Sequence, residues 1–145
     1  MTFALAQWLV SMFAVISLVH VYWGLGGEWA TMAAVPLVLV EDGTRLQPAF
    51  KPRGWITLLV AAALLMIALL VCLRVGWWVP TIEHWSLQWL ISAIAILLFA
   101  RAIGDSELVG FFKEVKASRF AWWDTWVYSP LCVVLGAGLL AVAWV

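Results

Sequence analysis

The chain has 145 residues, 66% of them hydrophobic and 11% charged, with eight basic and eight acidic side chains and a formal net charge of zero. Soluble domains average about 45–50% apolar and about 25% charged residues, so a mean hydropathy of +1.05 puts this chain outside the soluble range. Zero net charge, with the basic residues confined to segments that flank apolar blocks, leaves no electrostatic footprint for nucleic acid.

The first apolar block runs from Phe3 to Leu25, interrupted only by Gln7, Ser11, Ser17 and His20. A bilayer-spanning helix needs about 20 such residues. No Lys or Arg precedes the block and it exceeds the core of a signal peptide, so it reads as a retained span, residues 3–25. Residues 26–54 then form a long loop. Glu28–Val40 is mostly apolar but too short to span, which suggests an interfacial or re-entrant segment. Asp42-Gly43 between two strand-like runs predicts a tight hairpin, and Pro36, Pro48 and Pro52 argue against one long helix.

The second span is expected at 55–73 and the third at 85–103, the latter with Arg101 snorkelling to the interface. In the loop 104–125, apolar residues Leu108, Val109, Phe111, Phe112 and Val115 recur at helical spacing, opposite Glu107, Lys113 and Glu114. That pattern predicts an amphipathic helix in the interface, separated from the third span at Gly104-Asp105 and capped by Asp105 or Ser106. The fourth span is expected at 126–145. Ser129-Pro130 marks a kink or a fresh helix start just inside it, because proline has no N–H and clashes with the carbonyl four residues back. The fold class is therefore an all-α membrane protein: one four-helix transmembrane bundle, residues 1–145, with an interfacial amphipathic helix and a hairpin-like loop.

Orientation follows from the basic residues. Arg45, Lys51, Arg53, Arg101, Lys113, Lys116 and Arg119 fall on the side of loops 26–54 and 104–125, against Arg74 alone on the other. The positive-inside bias makes those loops cytoplasmic, puts both termini outside, and fits a multi-pass protein of the inner (plasma) membrane. Trp23, Trp29, Trp55, Trp122, Trp123 and Trp126 would lie at the inner interface, and Trp8, Trp77, Trp78, Trp85, Trp89 and Trp144 toward the outer one. Most of these rings anchor and pack.

Three motifs, HVYWGLGG at 20–27, IGDSELVGFFK at 103–113 and FAWWDTWVYSPLC at 120–132, resemble a widespread bacterial family of small four-span membrane proteins known only as a domain of unknown function. The resemblance covers most of the chain and implies the four-span architecture. It carries no activity, cofactor or catalytic residue. All three motifs map to the inner end.

The candidate site is built from those motifs. Phe13, Ser17, His20, Gly24 and Gly27 share one helical stripe, whose small residues suggest packing against another helix. An ionisable residue in a span is a functional candidate, and the alternative is a His20 hydrogen-bonded to a neighbouring helix or snorkelling to the interface. Asp124, Tyr128 and Cys132 are spaced by four, and Arg101 and Asp105 would meet them from the end of the third span. One reading is a charge network of Arg101 or Lys113 with Asp105 or Asp124 that pins the loop to the bundle. The other is a pocket binding a small amphipathic or lipid-like ligand through His20, Trp23, Arg101, Asp105, Lys113, Asp124 and Tyr128. In it His20, Asp105, Asp124 and Tyr128 would be available for acid/base chemistry.

Several chemistries are set aside. Cys72 and Cys132 differ in depth by roughly 17 Å at 1.5 Å per residue, too far for a disulfide, whose Cα atoms lie within about 7 Å. There is no CxxC, HExxH, GxSxG or phosphate-binding glycine loop. His20 and His84 lie at opposite ends and cannot share a haem. No metal or cofactor is expected, and the spans carry no repeated ring of charge for a channel. Gly136-Ala-Gly138 permits close helix approach and a possible homo-oligomer. Two functions remain: the ligand-binding protein, and an accessory or assembly subunit that docks a larger membrane complex through its aromatic loops.

Overall fold

A computed structural model describes residues 2–40, 43–77, 80–104 and 107–145. Four helices are long and apolar enough to cross a membrane: α1 (Thr2–Gly24), α3 (Gly54–Val75), α4 (Trp85–Ile103) and a continuous helix from Arg119 to Ala143. The last consists of α5 (Arg119–Trp123), one wide turn (Asp124–Tyr128) and α6 (Ser129–Ala143). The chain is a multi-pass, all-α membrane protein. Runs of Leu, Ile, Val and Ala let most backbone groups pair within their own helix, which a lipid surround demands.

The helix ends are set locally. Gly76, in the left-handed region at φ 68°, donates its N–H to Cys72 and stops α3. His84 accepts from the Ser86 N–H at the start of α4, and Ser118 Oγ accepts from the Ala121 N–H at 3.0 Å to start α5. A cap of this kind contributes about 1 kcal/mol.

α1 lies along α3, and α4 along α6. The core joins Leu9 and Phe13 of α1, Val71 of α3, Ile91 and Ala95 of α4, and Leu135 and Leu139 of α6. Lipid tails are as apolar as these side chains, so close contact rather than water exclusion holds the helices together. Small residues make that contact possible. A Cβ on Gly54 would stand 2.6 Å from the Gly24 carbonyl oxygen, so α1 and α3 touch backbone to backbone at one end. Ser17, buried, donates to the Ala61 carbonyl of α3 at 2.8 Å. Gly136 meets Ala95 and Phe99, and Gly138 meets Leu9, so both glycines serve contacts within the chain.

The first long loop contains the short helix α2 (Thr31–Ala34) and an antiparallel hairpin of β1 (Leu37–Leu39) with β2 (Leu46–Pro48), Leu37 facing Pro48 and Leu39 facing Leu46. Gly43 at its tip is left-handed at φ 68°; Asp42, expected in the turn, lies outside the described residues.

Two expectations for the other long loop are corrected. Residues 107–118 form no amphipathic helix but an irregular loop folded back on the bundle. Its backbone donors go to distant acceptors: Gly110 N–H to Asp124, Phe111 N–H to Ala102 O, and Glu114 and Val115 N–H to Glu107 O. Gly104 (φ 84°) and Gly110 (φ 91°) adopt backbone that other residues resist, and each backbone closes on the other's neighbours so tightly that a Cβ would collide with Val109 or Ile103 oxygen. The amphipathic spacing therefore serves a loop, and Phe112 points outward, 71% exposed. The fourth long helix also begins at Arg119 rather than Trp126.

Candidate functional site: a buried carboxylate at the loop-bearing end

Pro130 organises the site indirectly. Without an N–H it cannot close an ordinary helical turn onto Trp126. The helix widens instead, and the Ser129 N–H donates to the Asp124 carbonyl five residues back. Such π turns occur often at functional positions. This one holds Asp124 with its side chain fully buried.

Three donors of the chain converge on that carboxylate. Arg101 Nη2, from the end of α4, donates to Oδ1 at 2.8 Å. The Gly110 N–H donates to Oδ2 at 2.7 Å, and Lys113 Nζ to the same oxygen at 3.1 Å. Lys113 is itself only 2% exposed. Its ammonium also donates to Gly110 O at 2.8 Å and Thr125 Oγ1 at 2.6 Å, which satisfies all three of its protons. Arg101–Asp124 and Lys113–Asp124 are the ion pairs among the described residues. Two buried polar atoms there have no partner in the protein, Arg101 Nη1 and Ser129 Oγ.

Tyr128, next along the same helix, donates its hydroxyl to Ala33 O of α2 at 2.9 Å and stacks its ring at 6.1 Å from Phe120. One stretch of helix thus ties down both long loops, one through Asp124 and one through Tyr128.

The expected site residues divide. Arg101, Lys113 and Asp124 come together, with Tyr128 beside them. Asp105 lies outside the described residues. His20 Nδ1–H donates to Ile16 O of its own helix at 2.8 Å, and its ring meets Trp23 edge-on at 5.4 Å. Trp23 in turn donates Nε1–H to Trp29 O at 2.8 Å. His20 and Trp23 therefore form a separate local group in α1 and the loop after it. Gly110 and Thr125 belong to the charged cluster yet were absent from the expected set; a glycine interrupting an apolar helical pattern was the available clue.

Two hollows among the described residues are lined elsewhere, one by Leu18, Val19, Tyr22 and Trp29, the other by residues at the opposite end that include Arg74 and Glu83. Next in sequence to members of the charged cluster, Phe112, Trp122 and Trp126 are exposed. Cys72 and Cys132 are both free thiols. Among the described residues no group of His, Cys, Asp or Glu could hold a metal ion.

A family model described as "Protein of unknown function (DUF3995)" matches residues 13–139. No curated protein and no solved structure matches the chain.

Proposed function

The chain belongs to the DUF3995 family of proteins of unknown function, and from that premise we propose that it is an accessory or assembly subunit that docks a second, different membrane protein through its aromatic loops. One observation carries this reading: the Asp124 carboxylate is saturated by Arg101, Gly110 and Lys113, so the charged cluster serves to fix the loop while aromatic rings next to its members in sequence stay exposed. Two loops pinned to one turn of helix favour a specific protein contact, because ordering is completed before binding. Phe112 of the loop, with Trp122 and Trp126 at the head of the fourth long helix, supplies rigid apolar area of the kind that dominates interface energetics. In this reading the protein sits in the inner (plasma) membrane with loops 26–54 and 104–125 cytoplasmic, supported by the seven-to-one distribution of basic residues.

Native mass spectrometry of gently extracted protein tests it. The expected result is a stoichiometric second protein beside the 16.1 kDa chain, lost in Phe112→Ala and Trp122→Ala but kept in Trp89→Ala at the other end. A chain that extracts bare, or only as a homo-oligomer, overturns the reading.

A second reading, a small amphipathic ligand at the same end, is favoured by one observation: Arg101 Nη1 and Ser129 Oγ are buried without protein partners. Acid/base chemistry there would draw on Asp124 and Tyr128. A discrete extra mass on the extracted chain, lost in Ser129→Ala, supports it; an unchanged mass in that variant removes it.

A further inference from the structure

At the end opposite Asp124, where α1 begins and α3 and α6 finish, lies a cavity of about 160 Å³. One water occupies about 10–15 Å³ on this measure, so the space suits a polar group of many atoms. Its wall carries one cation, Arg74, and one anion, Glu83, together with the Thr81 hydroxyl and an apolar side of Phe3, Val75 and Val142. The two charges share the cavity, yet both ion pairs among the described residues are elsewhere.

Local structure fixes the Arg74 guanidinium and the backbone that carries the exposed Glu83. Arg74 Nη2 donates to Ala143 O at 3.0 Å and Val145 O at 3.2 Å, which holds its guanidinium across the end of α6. Glu83 sits on a loop that folds back over α3. The Ile82 N–H donates to Leu73 O at 3.3 Å, and the Thr81 side chain packs on Gly76. Arg74 and Glu83 thus line one cavity without an ion pair between them.

We propose that this cavity binds the phosphate-and-ammonium zwitterion of an ethanolamine headgroup, phosphate on Arg74 and primary ammonium on Glu83. The guanidinium fork matches phosphate oxygens, and a carboxylate accepts from a primary ammonium but finds no N–H on a trimethylated one. Phe3, Val75 and Val142 continue the wall into the apolar zone, where the glycerol and first acyl carbons of a phospholipid would lie. The same headgroup chemistry also occurs on soluble glycerophosphoethanolamine.

The test is lipid retention in nanodiscs of defined composition, read by native mass spectrometry after release into detergent. Phosphatidylethanolamine should be retained about tenfold over both phosphatidylcholine and phosphatidylglycerol, the scale of one charged hydrogen bond. Glu83→Gln, an isostere outside the helices, should abolish the preference while unfolding and helicity stay unchanged. Arg74→Lys, which keeps the charge and loses the fork, should weaken retention without discriminating among headgroups. Millimolar glycerophosphoethanolamine separates the sources: no displacement identifies the membrane lipid, and full displacement identifies recognition of the headgroup alone. Equal retention of the three lipids, or an unaltered preference in Glu83→Gln, overturns the proposal.

Discussion

Asp124→Asn removes one charge and leaves the shape of the side chain almost unchanged, so its effect isolates electrostatics. Lys113 is 2% exposed and keeps only the neutral acceptors Gly110 O and Thr125 Oγ1 once the carboxylate is gone. An uncompensated buried charge of this kind costs about 3–5 kcal/mol. The amide also turns one NH2 toward three donors. Lys113→Met should be milder, about 1–2 kcal/mol, because Asp124 retains Arg101 and the Gly110 N–H. Arg101→Gln should be mildest, since the Arg101 side chain is 35% exposed and Lys113 still faces the carboxylate. The double variant Asp124→Asn/Lys113→Met should recover much of the loss, because no unpaired charge remains. Reversible unfolding in mixed micelles, followed through the 12 tryptophans, gives each value. The reasoning is refuted if Asp124→Asn loses less than about 1 kcal/mol, or if Lys113→Met is the more damaging change.

Three further outcomes follow from the same geometry. Gly110→Ala should destabilise by more than about 2 kcal/mol, since φ 91° and the Ile103 carbonyl both reject a Cβ; a thermal melt equal to wild type contradicts the loop fold. Tyr128→Phe should cost about 1 kcal/mol and raise amide exchange at residues 31–35 while leaving 107–116 protected, because only the bond to Ala33 is lost. Single cysteines replacing Lys51 and Lys116 in a Cys72→Ala/Cys132→Ala background should react with an impermeant maleimide only after cells are opened, and one replacing Glu83 should react on intact cells. The opposite labelling pattern reverses the orientation.

The four spans were legible because apolar blocks near 20 residues have few other uses, and the hairpin because Gly43 lies between strand-like runs. The loop at 107–118 was misread for a definite reason. Leu108, Val109, Phe111, Phe112 and Val115 keep helical spacing, but periodicity does not weigh a distant acceptor such as Asp124 against the local carbonyls. The pairing of Lys113 with Asp124 was legible as a charge network, but its burial was not, since lysine is usually solvated and only the fold brings Gly110 and Thr125 around its ammonium as well. Ser129-Pro130 announced a break, while the form of the break depended on which carbonyl the Ser129 N–H could reach. His20 shows the reverse case. An ionisable ring in an apolar span drew notice, and an acceptor one turn away at Ile16 engages it.

The crossing of Gly24 on Gly54 brings the two ends of residues 25–53 almost to one point. A loop whose ends already meet adds little strain to its stem when it grows, since each doubling in length costs only about 0.6 kcal/mol in closure entropy. The α1–α3 hairpin is therefore insulated from what hangs on it. Around Gly43–Arg45, beyond the last strand pair, foreign sequence such as an epitope or a fluorescent domain should be carried without disturbing the helices. A change of length at the hairpin tip therefore leaves both the stem and the Tyr128–Ala33 bond as they are.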